Sequence, residues 1–172
     1  MRRRSAATVA GALAALAMVT ATARAEGPVP ANAPDPWERL PGILAAIRAP
    51  VFPDRDFPVT DFGAVADGTT DATGAFRAAI EACARAGGGR VVVPPGVFLT
   101  GPIHIRSSVN LHVSEGATIR FSRDPAAYLP VVPTRWEGVE LMGLSPLVYA
   151  YEQHDIAITG KGTLDGQADA GH

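Results

Sequence analysis

Asp67-Gly68-Thr69-Thr70-Asp71, followed after one helix length by Ala86-Gly87-Gly88-Gly89-Arg90-Val91-Val92-Val93-Pro94-Pro95-Gly96, is the stretch whose reading decides the fold. It reads as turn, helix, glycine stop, strand and tight turn. Asp71 offers a side-chain oxygen to cap the helix, and Phe76, Ala79, Ile80 and Cys83 recur at i, i+3, i+4 and i+7, so one helical face is apolar. Gly87 to Gly89 supply the unhindered backbone that ends a helix. Val91 to Val93 is a β-branched run of the kind buried on both faces of a sheet, and Pro95-Gly96 fits the central positions of a type II turn.

Downstream the pattern changes to short strands divided by turns: Val97 to Leu99, Ile103 to Ile105, Val109 to Val113, Ala117 to Phe121, Ile156 to Thr159 and Thr163 to Asp165. Strict alternation in Val109 to Val113 puts Asn110 and His112 on the face opposite the three aliphatic residues. The segment Val109 to Ile119 resembles Ile156 to Leu164, each an alternating strand, a glycine-bearing turn and a second strand. Units that cannot bury an apolar face alone are what stacked solenoids are made of. An antiparallel sandwich is the competing architecture, and the leading helix and the absence of Asn-Gly turns favour the solenoid.

Upstream, Phe57 to Phe62 reads as a strand. Leu40, Ile43, Leu44 and Ile47 mark a short helix begun by Pro41 and stopped by Pro50 and Pro53, expected to cover the end of the sheet that follows. Residues 26–56 are then a Pro- and Ala-rich linker with this helix. Arg2 to Arg4, the small apolar run Ala6 to Thr20 and Ala23-Arg24-Ala25 form a signal peptide over residues 1–25, cleaved after about Ala25. The apolar run is too short and alanine-rich for a membrane span, so no stable span is expected once it is removed, and the expected location is secreted or periplasmic.

The chain has 172 residues, a formal charge of −2 and one cysteine, which leaves no basic surface for nucleic acid, no internal disulfide and no cysteine-built metal site. Cys83 lies on the apolar helix face and reads as a buried structural thiol. The excursion Asp124 to Gln153 carries Tyr128, Trp136, Tyr149 and Tyr151 among four prolines. Such rings either anchor a long loop to the core or stack on a ligand, and anchoring is the commoner use. Asp67 and Asp71 suit turn formation and helix capping better than a cation loop. Glu137 and Glu140 read as solvated charges, His104 and His112 as isolated strand histidines without metal-ligand spacing, and Asp165 as a turn aspartate.

Thr134-Arg135-Trp136-Glu137-Gly138-Val139-Glu140, Ser145-Pro146-Leu147-Val148-Tyr149-Ala150-Tyr151 and Asp155 to Gln167 together resemble the N-terminal portion of bacterial polygalacturonases, glycoside hydrolase family 28. The Asp-Phe-Gly-Ala-Val opening at Asp61 to Val65 agrees and is shared with pectate lyase-like β-helix proteins. The resemblance spans about Trp37 to Gln167. It implies a mainly β, right-handed parallel β-helix of the pectin lyase-like kind with a capping α-helix, its N-terminal and incomplete part lying in residues 57–172. The implied partner is a pectin or polygalacturonate-type polysaccharide. The implied chemistry is inverting, metal- and cofactor-free hydrolysis of α-1,4-galacturonosyl links, with one carboxylic acid protonating the leaving oxygen and carboxylates activating water. In the family this work falls to Asn-Thr-Asp, Asp-Asp, Gly-His-Gly and Arg-Ile-Lys motifs, none of which stands here; Gly171-His172 comes before any motif that should precede it. The chain therefore reads as an N-terminal fragment without catalytic residues and inactive alone, whose exposed strand edges and apolar stack residues make it prone to association. Its substrate-binding residues are not assigned. A pectate lyase-like enzyme and a non-catalytic carbohydrate-binding or capping β-helix module are the alternatives.

Overall fold

The computed structural model describes residues 35–168, so the signal-peptide and most of the linker expectations lie outside the described residues. The chain divides into two units, Met1–Ile47 and Arg48–His172. In the first, a 3-10 turn at Pro36–Arg39 runs into helix α1 (Leu40–Ala46), and Asp35 accepts a hydrogen bond from the Trp37 amide at its start. None of the residues of α1 is buried.

The second unit is a stack of coils. Strands β1 (Asp56–Pro58) and β2 (Asp67–Asp71) precede helix α2 (Thr73–Arg85). Then come β3 (Gly89–Val93), β4 (Gly96–Thr100), β5 (Ile103–His104), β6 (Val109–Val113) and β7 (Ala117–Phe121). The excursion holds β8 (Val132–Trp136) and β9 (Val139–Gly143), and β10 (Val148–Tyr149), β11 (Ala157–Gly160) and β12 (Thr163–Asp165) complete the next coil. Hydrogen bonding gives three parallel sheets, β1-β3-β6-β11, β2-β4-β7-β12 and β5-β10, each strand lying beside its counterpart one coil on. This is the right-handed parallel β-helix.

Register converts the alternation into columns of like residues. Phe57, Val91, Leu111 and Ile158 are successive partners in one sheet, and Phe98, Ile119 and Leu164 in another. Their middle members have no exposed surface. Buried apolar area at roughly 25 cal/mol per Å² is the main term holding such coils together. Ile158 and Leu164 remain 47% and 44% exposed, as expected of stack residues covered on one side. The resemblance between Val109 to Ile119 and Ile156 to Leu164 is therefore a stacking relation: β6 pairs β11 and β7 pairs β12.

Helix α2 lays Ala75, Phe76, Ala79, Ile80 and Cys83 against the strands, all buried, and Phe76 meets Phe98 edge to face with centroids 6.4 Å apart. At its end the Gly87 amide bonds the Ala84 carbonyl and the Gly88 amide bonds the Cys83 carbonyl, a Schellman closure with both glycines at positive φ.

Five local readings need correction. Helix α2 starts at Thr73 with Ala72 as its N-cap residue; Asp71 serves from one position earlier, its Oδ1 accepting from the Thr73 amide. The segment Asp67–Asp71, read as a turn, is an irregular strand whose pairing with β4 shifts register. It keeps turn-like bonds, because Asp67 accepts from the Thr69 and Thr70 amides. The run Val91 to Val93 is not buried on both faces: Val91 and Val93 are buried and Val92 only partly, since the outer face of this sheet meets solvent. Gly96 has φ of 132° and begins β4, far from the value of about 80° of a type II turn. An added Cβ there would lie 2.6 Å from that of Ala66. Phe57 to Phe62 is a strand only to Pro58, and Val59–Phe62 forms a 3-10 turn closed by Gly63 in the left-handed region.

Candidate functional site

The shortest sheet, β5-β10, carries the densest polar and aromatic chemistry. Ile103 and Ile105 point inward and are buried, so period-two alternation sends His104 and Arg106 outward. Tyr149 pairs with His104 in register, and their rings lie 5.0 Å apart. Tyr151 follows, its ring parallel to that of Tyr149 at a centroid distance of 6.4 Å and an interplanar angle of 3°.

The excursion is fastened around this column rather than hanging free. Tyr128 is buried and its hydroxyl donates to the Ser122 carbonyl at 2.6 Å; the Ser145 amide bonds the Tyr128 carbonyl. Tyr149 donates to the Pro133 carbonyl at 2.7 Å, and Gln153 Oε1 accepts from the Ser107 amide at 2.7 Å. The aromatic expectation thus divides: Tyr128 and Tyr149 anchor, whereas Trp136 and Tyr151 are 69% and 50% exposed. Between the anchors β8 and β9 form an antiparallel hairpin turning at Glu137 and Gly138, both at positive φ as in a type I′ turn. Glu140 pairs with Arg135 at 2.9 Å across it, and neither glutamate is helical.

Two of the hollows that flank the column differ in their charge. One, about 620 Å³, lies between the hairpin and the tyrosines and is lined by Arg135, Glu140, Leu141, Met142, Tyr149 and Tyr151 among others. Glu152 most strongly, then burial, and to a smaller degree Glu140 raise the Tyr151 phenol above its ordinary pKa, so negative charge lies near this end. The second, about 230 Å³, lies between α2, β5 and the excursion, and its lining includes Arg77, Ile80, Ile103, His104, Arg106, Tyr128 and Ser145. His104 Nε2 lies 2.8 Å from Ser145 Oγ, which donates onward to the Pro146 carbonyl and so accepts from the ring. Burial, and secondarily Arg106, lowers the His104 pKa, which keeps the ring neutral at neutral pH.

The other sequence candidates lie elsewhere. His112 and Asn110 both meet Thr159 on the outer face of the large sheet. Asp165 lies on β12, where it accepts from the Gln167 amide at 2.8 Å and faces Arg120 at 3.5 Å. Asp67 is fully engaged by Thr69 and Thr70; the Thr70 hydroxyl, then the two amides, hold its carboxyl well below the usual range. Cys83 is buried with its thiol pushed up to about 11. Sequence reading missed Arg77 and Arg106, one on the polar side of a helix and one in a loop. Nothing in their spacing joins them before the chain folds.

The solved structure of a hyperthermoactive exopolygalacturonase from Thermotoga maritima superposes on 78% of this chain with a TM-score of 0.75 and 52% identity, over 30% of its own length. The chain resembles polygalacturonases of glycoside hydrolase family 28. A family 28 exopolygalacturonase of Yersinia enterocolitica gives a TM-score of 0.57 at 29% identity, covering 66% of this chain and 21% of that one. By sequence, an exo-poly-alpha-D-galacturonosidase of Dickeya chrysanthemi is 36% identical over 116 residues, 63% of this chain and 19% of that protein. A family model described as rhamnogalacturonase A/epimerase, pectate lyase-like, matches residues 57–114. This polygalacturonase-like chain thus spans about a fifth of the curated relative it matches.

Proposed function

We propose that this chain forms the N-terminal coils of a secreted or periplasmic glycoside hydrolase of pectin, its leader removed after about Ala25. The full protein would hydrolyse α-1,4-galacturonosyl links with inversion, by a general acid and a carboxylate-activated water. The observation that carries this reading is the 52% identity to an exopolygalacturonase across 78% of the chain.

The chain alone is proposed to be inactive. Inverting hydrolysis needs two carboxyl groups about 6.5–9.5 Å apart across a substrate groove. Five of the carboxylates are instead committed to local partners: Asp56 to Arg90, Asp67 to Thr69 and Thr70, Asp71 to Thr73, Glu140 to Arg135, and Asp165 to Arg120 and Gln167. Polygalacturonate incubated with the purified chain should release no reducing ends above a blank. Release well above it overturns the inactivity, and an ultraviolet-absorbing unsaturated product points to a lyase instead.

The exposed rings of Trp136 and Tyr151 support a second reading, a β-helix module that binds carbohydrate without turning it over. Retention on insoluble pectin without product separates that reading from an inert scaffold.

A further inference from the structure

The two hollows described above differ in sign, and the smaller of them suits an anion. At the hairpin the lone arginine, Arg135, is neutralised by Glu140, and Glu152 adds a further negative charge near Tyr151. In the smaller cleft Arg77 projects from α2 and Arg106 from the loop just after β5, and among the described residues neither has an ion pair or side-chain hydrogen bond. The only carboxylate in its lining, Glu81, faces Arg85 at 3.8 Å. Behind the arginines stand Ile80, Ile103 and Tyr128, each at most 8% exposed, so the floor is part of the packed core.

Resting on the reading above that the ligand is a uronate polysaccharide, we propose that this cleft holds a single uronic acid residue, its carboxylate between Arg77 and Arg106 and its ring over Ile103 and Tyr128. Size decides for one residue. At about 230 Å³ the cleft is below the roughly 300–1,000 Å³ of sites that enclose drug-sized ligands, too small for a run of sugars. Geometry decides for carboxylate, because the planar guanidinium fork matches its two oxygens and Arg is the usual partner for such groups. His104 is held by Ser145 and burial lowers its pKa, so the positive charge of the cleft comes from the two arginines.

The test titrates the full chain with galacturonate and with its methyl ester, which keeps the ring and removes the charge, following NMR shifts at low salt. Binding of galacturonate at least tenfold tighter than the ester is expected, with Arg77→Gln and Arg106→Gln each weakening it at least tenfold at unchanged melting temperature. Arg77→Lys should recover part of the affinity. Equal binding of acid and ester, or arginine variants that bind as the wild type does, overturns the proposal. Polygalacturonate retention is measured in parallel. If retention persists while galacturonate ignores both arginines, the cleft is refuted and the pectin reading stands. If neither ligand binds, both fall.

Discussion

Thr159 on β11 bridges two residues of the preceding coil: its hydroxyl donates to Asn110 Oδ1 at 2.9 Å and lies 2.9 Å from His112 Nδ1. Asn110 is 7% exposed, so its amide depends on protein partners rather than on water. The bridge joins residues that are neither neighbours in sequence nor alike, and it ties one coil to the next.

Thr159→Val keeps the shape and removes the hydroxyl. A loss of about 1 kcal/mol is expected from the broken bond to a nearly buried acceptor, and Thr159→Ser should restore most of it. Urea unfolding measures both; a Val variant as stable as the wild type removes the bridge from the list of stabilising contacts.

Gly88→Ala and Gly74→Ala should move stability in opposite directions. Gly88 has φ of 103°, and an added Cβ would lie 2.5 Å from the Ser108 carbonyl oxygen. A cost above about 2 kcal/mol follows from the left-handed backbone and the clash together. Gly74 lies in the first turn of α2 with nothing near an added Cβ, so alanine there should gain about 0.5 kcal/mol. Thermal unfolding of the two variants side by side checks the sign of each.

Phe98→Ala should cost about 3–5 kcal/mol, because Phe98 has no exposed surface and packs edge to face with Phe76 beneath the helix. In a small unit a loss of that size is a large fraction of total stability. A broad, early melt is the expected result, and a change under 1 kcal/mol by urea titration contradicts the packing account.

The Cys83 thiol, pushed up to about 11 by burial, should resist thiol reagents at pH 8 in the folded chain and react at once in denaturant. The sign of its pH dependence follows. Its folded pKa lies above the unfolded value, so its contribution to stability is complete below that unfolded value, near 9.0, and is lost as pH rises through the folded one. Asp67 works the other way. Its carboxyl is depressed chiefly by the Thr70 hydroxyl, so its contribution is present above the ordinary aspartate range and is lost as pH falls below it. Stability measured against pH should therefore decline at both ends, with Cys83→Ala flattening the alkaline limb and Asp67→Asn the acid one.

Much of the fold was legible because its repeats are local. Val109–Val113, Ala117–Phe121 and Thr163–Asp165 are strands with the boundaries that alternation predicts, and the α2 face is the one its spacing predicts. The local errors share a cause. Val92, Gly96 and Asp67–Asp71 owe their states to what lies one coil away, namely an outer face open to solvent, the Ala66 side chain and the β4 edge. The resemblance also covered the column residues, but their roles were not readable: a tyrosine that anchors and a tyrosine that stands in solvent have the same letter.

By itself the sequence determined the periods: an apolar stripe every three or four residues for one helix, alternation for the strands, and a near-repeat that stacks on itself. These depend only on backbone geometry, which every residue carries with it. Tertiary structure alone decided which charges meet. Arg77 and Arg106 come from a helix and from the loop after a strand, and they share one cleft because coil stacking sets β5 beside α2. Arg135 is silenced by Glu140 because a hairpin folds back on itself. Electrostatic pairing depends on distance through space, which the order of residues along a chain does not specify.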